Sequence, residues 1–162
     1  MHLLVDISAH GLGHLAQTAP VLNALRHLLP GLRLSLRSAL PLARLRARVE
    51  GEFDHIAEAR DFGFVMHNAV DIDRVGSAQR YRGFHADWAQ RVAAEADELR
   101  RRQVDAVLSN AAYLPLAAAA EAGIPAVGMS SLNWADMFAH YFGREAWAAP
   151  IHAQILDAYN TA

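Results

Sequence analysis

Hydrophobic positions open the chain in a short run, Leu3-Leu4-Val5-Asp6-Ile7, that stops at Ser8-Ala9-His10-Gly11-Leu12-Gly13-His14. Beyond that turn Leu15, Val21, Leu22, Leu25, Leu28 and Leu29 recur close to helical spacing, so the pattern predicts a strand, a glycine loop and a helix over 15–29. Pro20 falls inside this helix, either in the first turn of one capped by Thr18 or at a kink in one that begins at His14. Pro30-Gly31 ends it, and Leu32 to Leu36 alternates as a strand does. A helix over about 41–49, a strand over 53–59 and an extended segment over 62–66 follow. From Met66 to Arg82 there is no clean period. From about 77 to 103 Phe84, Trp88, Val92 and Leu99 mark one helix face, with Glu95, Asp97, Glu98 and Arg100 to Arg102 on the other. The remainder reads as strand 104–109, helix 113–122 with Gly123 as C-cap, strand 124–129, helix 133–142 and a last helix 145–159.

Strands and helices that alternate through short connections predict a doubly wound, mainly parallel α/β sheet of the Rossmann-like kind, as one domain over 1–162. If the first half lays down its strands in the order 3-2-1 and the second half adds strands beyond the first, the order reverses between the 3–7 and 104–109 strands. A crevice then opens above their carboxyl ends. His10, Gly11, Gly13 and His14 reach it from the first loop, Ser109, Asn110 and Tyr113 from the second, and Ser130, Ser131, Asn133 and Trp134 from the third. His67 and Asn68 belong to a polar segment that forms either a connection or a wall of the cleft. The lining is small, polar and hydroxyl-rich, which suits a polyhydroxylated ligand better than an apolar one. Ser130, Ser131 and Asn133 also suit capping of the helix that follows them.

Composition narrows the classes. A hydrophobic content of 53% and a charged content of 20% describe a folded domain, and no apolar run approaches the roughly 18 residues that a membrane span needs. The net charge of -2 gives no overall footprint for nucleic acid. The chain has no cysteine, which removes disulfides and thiolate chemistry. Met1-His2 leads directly into a strand with no signal segment, so a cytoplasmic location is expected. Of the nine histidines, His27 and His55 read as surface or packing residues. The four arginines from Arg37 to Arg48 read as a solvated face.

The first loop carries the candidate chemistry. Glycines let the backbone turn tightly and approach a ligand, and the amides at the helix start point their positive ends into the same space. An imidazole there can take or give a proton near neutral pH. The dinucleotide fingerprint is incomplete, because Ala16 stands at the third glycine position and the acidic residue expected after the second strand is absent. A P-loop is excluded, since the chain contains no lysine. His10 and His14 also have metal-ligand spacing, with Asp71 or Asp73 as the carboxylate of a metal hydrolase.

The series Ala9-His10-Gly11-Leu12-Gly13-His14, Asp61-Phe62-Gly63, Val107-Leu108-Ser109-Asn110, Ala117 to Pro125 and Ser131-Leu132-Asn133-Trp134 resembles the amino-terminal domain of GT-B glycosyltransferases. It is most similar to the glycosyltransferase-like proteins related to the amino-terminal half of plant arabinose kinase. The resemblance implies an acceptor-binding domain that works with a carboxyl-terminal domain holding a nucleotide-sugar donor, and it implies transfer without a metal or other cofactor. It also implies that His14 or His10 is the base that deprotonates the acceptor hydroxyl, with Asn110 where the family carries an orienting aspartate. An amide can orient an imidazole but cannot stabilise imidazolium by charge. No second glycine-rich loop follows within the chain, so the donor half is expected elsewhere and the chain alone is expected to be inactive. The alternative is a non-catalytic sugar- or nucleotide-binding module of the same fold.

Overall fold

The computed structural model describes residues 1–68 and 71–162. Five parallel strands form the central sheet: β1 (His2–Ile7), β2 (Arg33–Arg37), β3 (Asp54–Ile56), β6 (Ala106–Asn110) and β7 (Ala126–Gly128). Their order is β3-β2-β1-β6-β7, so the reversal falls between β1 and β6 as the sequence predicts. β1 sits at the centre, with Val5 opposite Leu36 on one side and Leu108 on the other. A two-stranded antiparallel sheet, β4 (Met66–Asn68) with β5 (Asp71–Ile72), stands apart from it.

Because side chains alternate across a strand, β1 feeds two cores. Leu3, Val5 and Ile7 pack with Leu15, Ala19 and Leu22 of α1 (Leu12–Leu28) and with Leu45 of α2 (Leu42–Arg46). Leu4 faces the other way, onto Ala96 and Leu99 of α4 (Trp88–Arg101) and Ala118 and Ala119 of α5 (Leu114–Ala122). Each fully buried leucine contributes about 1.5–3 kcal/mol. A third, aromatic core joins α3 (Arg74–Ala86), α6 (Trp134–Phe142) and α7 (Ala148–Tyr159) through Tyr81, Phe138, Phe142 and Ile155. Among the described residues no helix is long and apolar enough to cross a membrane.

Several elements differ from the sequence expectation. The helix expected over 77–103 is two, broken at Asp87, whose φ of -114° and ψ of 35° are not helical. The break lets Tyr81 and His85 of the first half turn into the aromatic core while Ala96 and Leu99 of the second half meet the sheet; one straight helix could not serve both surfaces. The helix expected over 41–49 shrinks to Leu42–Arg46, and the strand over 53–59 to Asp54–Ile56. The extended segment over 62–66 contributes only Met66 to a strand. Pro20 lies inside α1, which starts at Leu12, before either expected start, and Thr18 is no cap: its hydroxyl donates to the His14 carbonyl at 2.8 Å.

Arg37 overturns the expected solvated face. Its side chain is fully enclosed and grips Asp6 through Nε at 2.7 Å and Nη2 at 2.8 Å, and Nη2 also meets Glu95. Arg60 continues the network to Glu95, Glu98 and Glu58, each at 2.7 Å. Burial pushes the Asp6 and Glu95 carboxyls upward, against the pull of the Arg37 guanidinium. Position 37 ends a central strand and points at α4, so its charge is satisfied only by partners that the fold delivers.

Candidate functional site

Asn110 ends β6 directly opposite Ile7 of β1, and the chain on either side holds it there. Ser8 N–H donates to the Asn110 carbonyl at 3.2 Å. Ala111 follows in the left-handed region at φ 78°, a conformation costly for a residue with a Cβ. Its carbonyl accepts the Tyr159 hydroxyl, and that hydroxyl accepts the Trp134 N–H at 3.1 Å. On the facing loop Gly11 adopts φ 115°, open to glycine alone, and releases the chain into α1. This brings His14 to Asn110.

The contact between them has one sense. Asn110 Nδ2 is surrounded by the His14 carbonyl at 3.2 Å, Gln17 Oε1 at 3.3 Å and Thr18 Oγ1 at 2.9 Å. Two of these, the carbonyl and the amide oxygen, can only accept, so the amide nitrogen must face them. Oδ1 is then the atom 2.8 Å from His14 Nδ1, which makes Nδ1–H the donor and leaves Nε2 with a free lone pair. Nε2 has no hydrogen-bond partner among the described residues and is not among the enclosed polar atoms. A buried ring of fixed tautomer therefore presents its unprotonated nitrogen outward, as a general base requires.

His10 occupies a different wall. It is exposed and meets Trp134 edge-on, with centroids 5.4 Å apart. Trp134 is nearly buried, and its indole N–H donates to Asp61 at 2.9 Å. Gly63, at φ 54°, lies so close that a Cβ there would stand 2.6 Å from His10 Nε2 and 2.7 Å from Trp134. The segment 61–63 thus lies against the first loop and the start of α6.

The carboxyl ends of β6 and β7 open into a groove of about 630 Å³ that includes Ser109, Ser130, Ser131 and Asn133 in its lining, whereas His10, His14, Asn110 and Trp134 are not among the described residues that line it. Ser130 and Ser131 are exposed. The Ser109 hydroxyl is buried and donates to the Ala112 carbonyl, and Asn133 caps α6 by accepting from Asp136 N–H at 2.8 Å. Gln17 joins the groove to the histidine: its Nε2 donates to Ser131 Oγ at 2.8 Å while its Oε1 faces Asn110. Gly11 and Gly13 are exposed at the mouth of the first loop.

Two further candidates make no contact with His14 or Asn110 among the described residues. Tyr113 is buried in the aromatic core, its hydroxyl 2.9 Å from His85 Nε2. Burial pulls the His85 imidazole down to about 4, with the Arg91 charge lowering it further and the Gln154 hydrogen bond opposing. His67 is exposed on β4, and among the described residues it makes no contact with His14 or Asn110. For the metal alternative, no group of three or more His, Asp or Glu side chains able to hold an ion occurs among the described residues. Asp73 instead caps α3, accepting from Gly76 N–H at 2.8 Å.

Gln17, Thr18 and Asp61 join the site only through the fold, since the sequence does not mark them as site residues. Gln17 and Thr18 stand three and four residues beyond His14, on the same helix face, and that spacing was their one available signal.

No protein-family model matches the chain, and no curated protein matches it. Among solved structures it is similar to CalG4, the calicheamicin glycosyltransferase, at 15% identity and a TM-score of 0.55 over 98% of this chain and 42% of that one. It is similar to apo UGT2 of Phytolacca americana at 12% identity and a TM-score of 0.54, over 99% of this chain and 44% of that one. The same UGT2 complexed with UDP-2fluoro-glucose and pterostilbene matches at 16% identity and a TM-score of 0.51, over 85% and 32%. The chain spans less than half the length of these structures. Its fold is the Rossmann-like α/β fold of GT-B glycosyltransferases.

Proposed function

We propose that this chain is the acceptor-binding, amino-terminal half of a cytoplasmic GT-B glycosyltransferase, akin to the proteins related to the amino-terminal half of plant arabinose kinase. The complete enzyme moves a sugar from a nucleotide-sugar donor to a hydroxyl acceptor. The observation that carries this reading is the anchored pair of Asn110 and His14, with Nδ1–H donating to the amide oxygen at 2.8 Å and Nε2 free. In the reaction the acceptor hydroxyl gives its proton to His14 Nε2 while its oxygen forms a bond to the anomeric carbon. The nucleotide diphosphate leaves with the electrons of the broken bond.

Asn110 sets the tautomer and orientation of the ring, the part of a carboxylate's role that an amide can fill. Ser130, Ser131 and Asn133 line the acceptor groove, and His10 packs edge-on against Trp134, which follows Asn133 in the chain. The donor is held by a second domain outside these residues, so the chain alone lacks the proximity on which transfer depends. The UGT2 neighbour complexed with UDP-2fluoro-glucose supports a nucleotide-sugar donor.

The test is sugar transfer from a panel of nucleotide sugars, using this chain assembled with its donor-binding half. His14→Ala is expected to lower kcat by roughly 10²-fold or more, with the acceptor KM little changed. Turnover unaffected by the substitution, or a panel without any turnover, would leave the non-catalytic binding module as the better reading.

A further inference from the structure

The groove at the carboxyl ends of β6 and β7 carries no cationic side chain among its described lining residues. Of the fifteen arginines in a chain without lysine, none lines it, and no histidine does; Asp136 is the one charged side chain among the described lining residues. The start of α6 opens here, and an unmodified helix start would favour an anion with about half a positive charge. In this chain that end is already answered. Asn133 Oδ1 accepts from Asp136 N–H at 2.8 Å, and the Asp136 carboxylate, carrying a full negative charge, accepts from Asn133 Nδ2 at 2.7 Å. The sum at the groove is negative.

The walls are also partly apolar. Leu132 and Leu156 are each 37% exposed, and Met129 and Met137 line the groove with them. A ligand made only of hydroxyls would leave this apolar surface wet, whereas one with an apolar body would cover it at about 25 cal/mol per Å². The polar edge, Ser130 and Ser131, lies on the side that Gln17 ties to Asn110 and His14. A hydroxyl directed to that edge meets the serines that Gln17 links to Asn110, while the body rests on the leucines and methionines.

We propose that the groove selects neutral or cationic alcohols with an apolar body and rejects anionic ones such as carboxylated or phosphorylated acceptors. This rests on the acceptor-binding reading above but is read out by binding alone. The probes are tyrosol, tyramine and 4-hydroxyphenylacetate, three phenols of nearly one shape that are neutral, positive and negative at pH 7. Titrated into the ¹⁵N-labelled chain at low salt, tyrosol and tyramine should shift the amides of Ser131, Leu132 and Leu156. Tyramine should bind at least about fivefold more tightly than 4-hydroxyphenylacetate. Asp136→Asn should cut that ratio to below about twofold. On the unaltered chain 0.5 M salt should do the same, which keeps the test intact if the variant folds poorly. Equal affinity for the three phenols, tighter binding of the anion, or no shifts at the groove at millimolar probe would each overturn the proposal. Charge-selective binding without sugar transfer in the assembled protein would uphold it and count only against the transferase reading.

Discussion

Asn110 is the residue on which the site turns, and its chemistry is set by what surrounds each end of the amide. The nitrogen faces the His14 carbonyl, Gln17 Oε1 and Thr18 Oγ1, and the oxygen faces His14 Nδ1. A carboxylate at this position would turn an oxygen toward three oxygens. Asn110→Asp therefore restores the residue type expected from the family resemblance and is nonetheless predicted to destabilise the fold. At pH 8, where a free imidazole is neutral, the loss should be about 1–3 kcal/mol in urea unfolding; an unchanged midpoint would mean that the three acceptors do not fix the amide. Asn110 shows how much of the site was legible. Its place beside the first loop followed from strand order, because the reversal between β1 and β6 puts their carboxyl ends together. Its fixed orientation did not, since that depends on Gln17 and Thr18 side chains nearly a hundred positions away in sequence.

At the scale of elements, two buried polar contacts tie helices and strands together. Arg37 joins β2 to β1 through Asp6 and to α4 through Glu95. Replacing it with methionine fills similar space but leaves the buried Asp6 carboxylate unpaired and Glu95 with Arg60 alone, so Arg37→Met should cost about 3–5 kcal/mol. That is a large part of the 5–15 kcal/mol that holds a typical domain together, and a urea midpoint near that of the parent would contradict it. In the aromatic core His85 of α3 bridges Tyr113 before α5 and Gln154 of α7. Its imidazole is held near 4 against an ordinary 6.5, mainly by burial. Below 6.5 the unfolded chain takes up a proton that the folded chain refuses. Stability from this group should thus be complete above pH 6.5 and fall as the pH drops toward 4, by no more than ~3 kcal/mol. Urea unfolding across that range, compared between the parent and His85→Phe, isolates the effect; identical slopes would exclude it. Neither contact was visible in the chain, where Arg37 sat among surface-like arginines and Tyr113 beside a strand end. A polar residue at a strand end reads alike in sequence whether a distant helix covers it or not.

For the molecule as a whole, hydrophobic periodicity was enough to place the sheet, because its central strands alternate between two cores and their connections are short. It misjudged the stretch from 77 to 103, where a continuous helical pattern hides the break at Asp87 and the two halves bury their apolar faces against different partners. His67, on the polar segment that reads as either a connection or a cleft wall, lies on β4 of the two-stranded β4–β5 sheet. What the whole fold achieves is to bring the first loop and the end of β6 together so that one histidine is held in one tautomer with its other nitrogen open. Long-range ¹H–¹⁵N correlation of His14 in the ¹⁵N-labelled chain above pH 7.5 tests this directly. The account predicts a protonated Nδ1 and an unprotonated Nε2. A proton on Nε2 would contradict it.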